Sequence, residues 1–291
     1  MGGLARRVSY EKALLSQAED SIAVLQVDAG NFLSDDLTLP AMAAEARIKN
    51  EWVLKSFDQF KFGAANVSHR DLPYLAELMK KSAHADSLKR FPFLNRVISA
   101  NVVPATPDVV AFKPYVIEEL RSKRLGTKPL KVAIIGVNEL QGAPGSVVSG
   151  YKILDPIETL KTMLPDLRKK VDLIVVLAYA TREDAKKIGA QTTGIDIVMA
   201  AHQLPLFNAV DEAGDAVVGY VANQTKWLGE FRLYRAADAK DAAITSYIHR
   251  DVPLDNALPD DPVAAKVVTD ARAAFTKQPP AAAAAAPAHS H

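Results

Sequence analysis

The chain has 291 residues, 49% of them hydrophobic, and its 35 basic and 34 acidic residues leave a net charge of +1 at pH 7. That size suits one large α/β domain or two small ones, and the near-neutral balance gives no pull toward nucleic acid or an anionic membrane surface. No stretch approaches the roughly 18 uncharged apolar residues of a membrane span, and with no cysteine any metal would need oxygen or imidazole ligands.

The N-terminal "MGGLARRVSYEKALLSQ" has no apolar run behind its arginines, and Val8, Ala13, Leu14 and Leu15 predict an amphipathic helix, not a signal peptide. Short β-branched runs predict buried strands at 22–30 ("IAVLQVDAG"), 91–103 ("FPFLNRVISANVV"), 130–137 ("LKVAIIGV"), 171–180 ("VDLIVVLAYA") and 195–202 ("IDIVMAAH"). Between them lie helical patterns at 41–60, 71–83, 156–170 and 181–192, the third opened by Asp155 at the N-cap and Pro156 at the first helical position. Continuous apolar strands alternating with amphipathic helices define an α/β architecture with covered sheets. "GAPGSVVSGYK" reads as a surface loop, because it lacks the Gly-Lys-Ser/Thr ending of a phosphate loop. Residues 215–236 read as a hairpin, and Asp261-Pro262 opens a last helix. The tail 277–291 is proline-bounded alanine with no apolar face and is expected to be disordered; His289 and His291 belong to it. Arg168, Lys169 and Lys170 close a helix, where cations suit the macrodipole.

In layered α/β folds functional residues gather in loops at the C-terminal ends of strands. The candidate segments are "VDAGNF", "NVSHRDL", "VLAYAT" and "AAHQLP". Asp28 reads equally well as a turn residue, and a lone His69 reads as a polar loop residue before a ligand. His202 stands out, because it closes an apolar strand where a polar ring has little other reason to sit.

The order "GGLARR", "VLQVDAGNFL", "GAANVSHRDL", "VISANVV", "KPYVIEEL", "KVAIIGV", "YKILDPIETL", "VDLIVVLAYA", "GIDIVMAAH", "LGEFRLY" resembles the metallophosphatase domain of the 5'-nucleotidase family of calcineurin-like phosphoesterases, over residues 2–256. The resemblance implies a four-layer α/β/β/α sandwich at 1–256, followed by a trailing helix at 257–276. It also implies a periplasmic setting if a leader precedes this sequence. The family's chemistry uses two metal ions that bind phosphate and activate water.

Carried over by position, the ligand set is depleted. The family's Asp-x-His strand has no counterpart from Gly2 onward, and its Gly-Asp becomes Gly30-Asn31, an amide where a carboxylate bridges the metals. Its Gly-Asn-His-Asp/Glu aligns with Ser68, His69, Arg70 and Asp71, although a one-residue shift would keep His69 as the histidine. The histidine after "VVLA" is Tyr179, a poor divalent ligand because its phenol ionises near pKa ~10. Gly-His-x-His becomes Ala201, His202, Gln203 and Leu204. The base-sandwiching aromatic domain of full-length nucleotidases has no counterpart in these residues.

Two readings follow from the resemblance. In the first, the scaffold has lost hydrolysis and acts as a binding or interaction module, with no cofactor, taking a phosphate-bearing ligand through Arg70 and His69, or a protein partner. In the second, a divergent phosphoester hydrolase uses one manganese, zinc or magnesium ion, with Asn31, His69, His202 and more weakly Asp28 as ligands and His69, Arg70 and Asp71 as catalytic groups. Both expect the strands ending near Asn31, Ser68, Tyr179 and His202 to meet at one edge.

Overall fold

A computed structural model describes residues 3–17, 21–34, 36–38, 42–125, 128–139, 146–201, 209–221, 226–235 and 244–276. His202, Gln203, Leu204 and the alanine-rich tail lie outside the described residues. The first half contains α1 (Leu4–Gln17), β1 (Val27–Asp28), α2 (Ala43–Gln59), β2 (Ala64–Asn66), α3 (Leu72–Leu78), α4 (His84–Arg90), β3 (Val97–Ile98), β4 (Val102–Pro104), β5 (Tyr115–Leu120) and β6 (Leu130–Asn138). The second contains β7 (Val147–Val148), β8 (Tyr151–Ile153), α5 (Pro156–Arg168), β9 (Leu173–Tyr179), α6 (Arg182–Gln191), β10 (Ile197–Ala201), β11 (Val210–Ala213), β12 (Ala216–Val221), β13 (Trp227–Arg235), β14 (Ile244–Pro253) and α7 (Pro262–Thr276).

Two sheets form the centre. One is the parallel set β1-β2-β3; the other has the order β11-β12-β10-β9-β6-β5, parallel except at its two edge strands. Side chains alternate along each strand. Val132 and Ile134 of β6 and Leu173, Val175 and Leu177 of β9 therefore face Ala29, Ala64 and Ile98 of the smaller sheet. Their neighbours Ala133, Ile135, Val137, Ile174 and Val176 point the other way, onto Leu160 and Leu164 of α5 and Ala185 and Ile188 of α6. The outer face of the small sheet is covered by Leu54 and Phe57 of α2 and Leu72 and Leu75 of α3. This is the expected four-layer α/β/β/α sandwich, and burial on both faces is why these strands are apolar without alternation.

The helix starts follow their local chemistry. Asp155 Oδ1 accepts from the backbone N–H groups of Ile157 at 2.8 Å and Glu158 at 2.9 Å, and Asp261 Oδ1 does the same for Val263 and Ala264. Asp155→Ala is expected to lower stability by about 1 kcal/mol through loss of this cap, read as a reduced urea midpoint with unchanged slope.

Several segments depart from the sequence expectation. Within 22–30 only Val27–Asp28 pairs as strand. The start of 91–103 is a 3-10 turn, Pro92–Arg96, whose apolar Phe93 and Leu94 are buried without any ladder. The helix expected over 71–83 ends at Leu78, and the polar α4 follows. The segment expected as a loop forms the short hairpin β7-β8, turning on Ser149 and Gly150 at positive φ. The hairpin expected over 215–236 is absent among the described residues: β12 joins β10 and β11, whereas β13 pairs with β14. The helix expected within 257–276 is present as Pro262–Thr276, with Ala264 buried against Ala5 and Val8 of α1.

Candidate functional site at the strand ends

Loops after β1, β2, β6 and β9 meet at the C-terminal edge of the sandwich. After β1 the chain turns through Gly30 (φ 113°) and Asn31 (φ 61°), left-handed conformations that glycine and asparagine tolerate best. Asn31 N–H donates to Ser68 Oγ at 3.1 Å and to Asp71 Oδ2 at 2.9 Å. The Asp71 carboxylate also accepts from Ser68 N–H (2.8 Å), Ser68 Oγ (2.6 Å) and Leu33 N–H (2.9 Å). Asp71 is fully buried. It precedes α3 without capping it and instead ties the β1 loop to the β2 loop.

Burial pushes the Asp71 carboxyl up to about 6, with the hydrogen bonds from Ser68, Leu33 and Asn31 pulling the other way. Between its ordinary value of 3.8 and that raised value, the folded chain holds a proton that the unfolded chain has released. Stability contributed by this group is fully present below the unfolded value and is lost as pH rises through the folded one. The stability gap between wild type and Asp71→Asn is expected to be wider near pH ~4 than at pH ~7, measurable as the difference of urea midpoints.

Three buried asparagines close strands or follow them. Asn66 Nδ2 donates to Ala29 O at 3.1 Å and to Val137 O at 2.7 Å, joining the two sheets. Asn101 Nδ2 donates to Asn138 O at 2.6 Å and Leu154 O at 2.9 Å, while its Oδ1 accepts from Asn138 N–H at 2.9 Å. These residues carried no assigned role in the sequence reading. The signal was available: each ends or follows an apolar strand, the same reasoning that singled out His202.

Of the residues singled out beforehand, Asn31, Ser68, His69 and Tyr179 do come together. The His69 and Tyr179 rings lie 5.5 Å apart, edge to face. Tyr179 is paired in register with Asn138 on one side and Ala201 on the other, so the strand leading to His202 reaches the same edge. Arg70 follows His69 in the same loop and is partly exposed. Asp28, a weak ligand candidate, points elsewhere. Val27 and Ala29 line the interior between the sheets, so the alternating Asp28 lies on the other face of the small sheet, near Arg7, accepting from Gly30 N–H at 3.0 Å in a turn. Burial raises its pKa, partly offset by Arg7. The turn reading of Asp28 is the one its geometry supports.

Among the described residues the donor set does not fit a two-metal centre. Asp28, Asp71 and Glu139 each already accept a backbone N–H, Glu139 from Thr181 at 2.7 Å. Among the described residues no group of three or more His, Asp or Glu side chains is arranged to hold a metal ion.

A parallel sheet core covered on both faces, joined to a second parallel sheet and ending in this loop cluster, defines the metallophosphatase-type α/β sandwich. The chain has the fold of the domain shared by 5'-nucleotidases and calcineurin-like phosphoesterases. It is similar to the sulfate thiohydrolase SoxB of Thermus thermophilus, with a TM-score of 0.73 and 14% identity over 95% of this chain and 47% of that one. It is also similar to a 5'-nucleotidase precursor of Thermus thermophilus (TM-score 0.66, 19% identity, 94% of this chain and 54% of that one). The calcineurin-like phosphoesterase YfkN of Bacillus subtilis gives a TM-score of 0.68 at 17% identity, over 94% of this chain and 89% of that one. The chain thus spans about half the length of the first two. No protein-family model and no curated protein sequence matches it. Among the described residues no helix is long and apolar enough to cross a membrane.

Proposed function

We propose that this chain is a metallophosphatase-type scaffold that binds a ligand or partner at its strand-end edge without hydrolysing it. The observation that carries this reading is the state of the edge carboxylates. Asp71, the only aspartate in the loop after β2, is enclosed by four donors, and the bridging position is Asn31, whose backbone is fixed by Asp71 itself. A hydrolytic centre of this type needs carboxylates directed at the ions to offset about four positive charges. Here they are directed at the protein backbone. Partly exposed Arg70 and His69, beside the edge, suit a small anionic or phosphate-bearing ligand through charge-assisted hydrogen bonds.

The test is metal content and turnover in one sample. Protein purified from medium supplemented with manganese, zinc and magnesium is expected to hold no stoichiometric pair of ions and to leave p-nitrophenyl phosphate and nucleoside monophosphates intact. Two ions per chain together with hydrolysis, both abolished in His202→Ala, would replace this reading with the divergent hydrolase.

A further inference from the structure

The buried amide of Asn138 has no task in the fold. Its backbone is fully engaged, N–H to Asn101 Oδ1 at 2.9 Å and carbonyl from Asn101 Nδ2 at 2.6 Å. Its side chain is 0% exposed, yet among the described residues neither Nδ2 nor Oδ1 has a hydrogen-bond partner. An amide buried without partners lowers stability, and such a group calls for a specific explanation, a bound ligand or a buried water.

The direction of this side chain follows from the strand. Val132 and Ile134 face the space between the sheets, and the alternation carries Gly136 and then Asn138 onto that same face. Cross-strand pairing sets Asn138 beside Tyr179, and Tyr179 beside partly exposed Ala201, in one row across β6, β9 and β10. Tyr179 meets His69 from the opposite sheet. One step inward, Asn66 Oδ1 is also buried without a partner among the described residues, its Nδ2 being committed to two carbonyls.

We propose that Asn138 is the recognition residue for the carboxamide or lactam edge of a small ligand, bound between the sheet ends. An amide presents a donor beside an acceptor, and its best complement is another group with an acceptor beside a donor. This holds whichever way the Asn138 amide is turned. A cation is disfavoured because the edge carboxylates Asp71 and Glu139 are bonded to backbone N–H groups. An anionic group is disfavoured at this depth because it would meet Asn66 Oδ1, whose amide is fixed by the two bonds of its Nδ2. The inference rests on the reading of this edge as a binding site, and it adds the chemistry of the group that enters deepest.

The test compares wild type with Asn138→Leu, using acetamide and 2-pyrrolidinone as probes and N-methyl-2-pyrrolidinone, which lacks the N–H, as control. A residue held for binding at the expense of stability predicts that Asn138→Leu raises the Tm of the unliganded chain by about 2–4 °C. In wild type, the two N–H-bearing probes should raise Tm saturably and shift the backbone amide resonances of Asn138 and Tyr179. The methylated control should do neither, and the variant should respond to none. A lower Tm for the variant would show that the amide is structural, satisfied by a buried water, and would overturn the proposal. So would an absence of resonance shifts in wild type with both probes, an observation independent of how the variant folds. Phosphate-ester turnover would sink the non-hydrolytic reading above while leaving these outcomes separately readable.

Discussion

Gly136→Ala is expected to destabilise the chain by about 3 kcal/mol, at the upper end of overpacking costs. A Cβ at this position would lie 2.5 Å from Asn66 Oδ1 and 2.6 Å from the carbonyl oxygen of Ile98. Neither neighbour is the free end of a flexible side chain. Ile98 O belongs to the backbone of the small sheet, and the Asn66 amide is anchored to Ala29 and Val137. The two sheets would have to separate here, and the Asn66 bridge would lengthen with them. Gly219→Ala provides the contrast. Its Cβ would run into the Phe231 ring alone, so the change should displace β13 while leaving the sandwich intact. Urea unfolding followed by near-UV circular dichroism separates the two outcomes. Wild-type stability in Gly136→Ala would refute the claim that the sheets are in backbone contact at this point.

Asp71→Ala is expected to cost roughly 4 kcal/mol, because at least two buried N–H groups, those of Leu33 and Ser68, lose their acceptor at about 1–3 kcal/mol each and the β1 loop loses its tie. Asp71→Asn should be milder, about 2 kcal/mol: the remaining oxygen can serve the donors on one side, while the new NH2 is turned against a donor on the other. Chemical denaturation of both variants decides the matter. A catalytic carboxylate without a structural job would leave stability unchanged on either substitution, and that result would return Asp71 to the catalytic group in which its sequence position placed it.

What the sequence made legible was what local chemistry determines. Asp155-Pro156 and Asp261-Pro262 announce helix starts because capping acts over two or three residues. The apolar runs of β6, β9 and β10 announce a buried parallel core. Pairing was not legible. Residues 216–221 and 227–235 both have strand character, yet the first joins β10 and the second β14, a choice made by partners far away in sequence. Phe93 and Leu94 are apolar because they are buried, and burial alone does not tell a 3-10 turn from a strand. At the site, the convergence of the β1, β2 and β9 loops was legible from the order of segments. The three asparagines could have been noticed at their strand ends, but their partners, and those of Asp71 in the β1 loop, were not legible, because hydrogen bonds over such sequence separations leave no periodic trace.

The β13-β14 ribbon, among the described residues, shares no ladder with either main sheet. It is held by side chains: Phe231 over Gly219, and Glu230 and Arg250 both joined to Tyr10 of α1. Releasing it therefore breaks no inter-sheet backbone bonds, and the ribbon can open as a cooperative unit of its own below the free energy of global unfolding. In native-state hydrogen exchange its amides form a separate isotherm from those of β6 and β9, and a protease would find its first cut there while the sandwich is still closed.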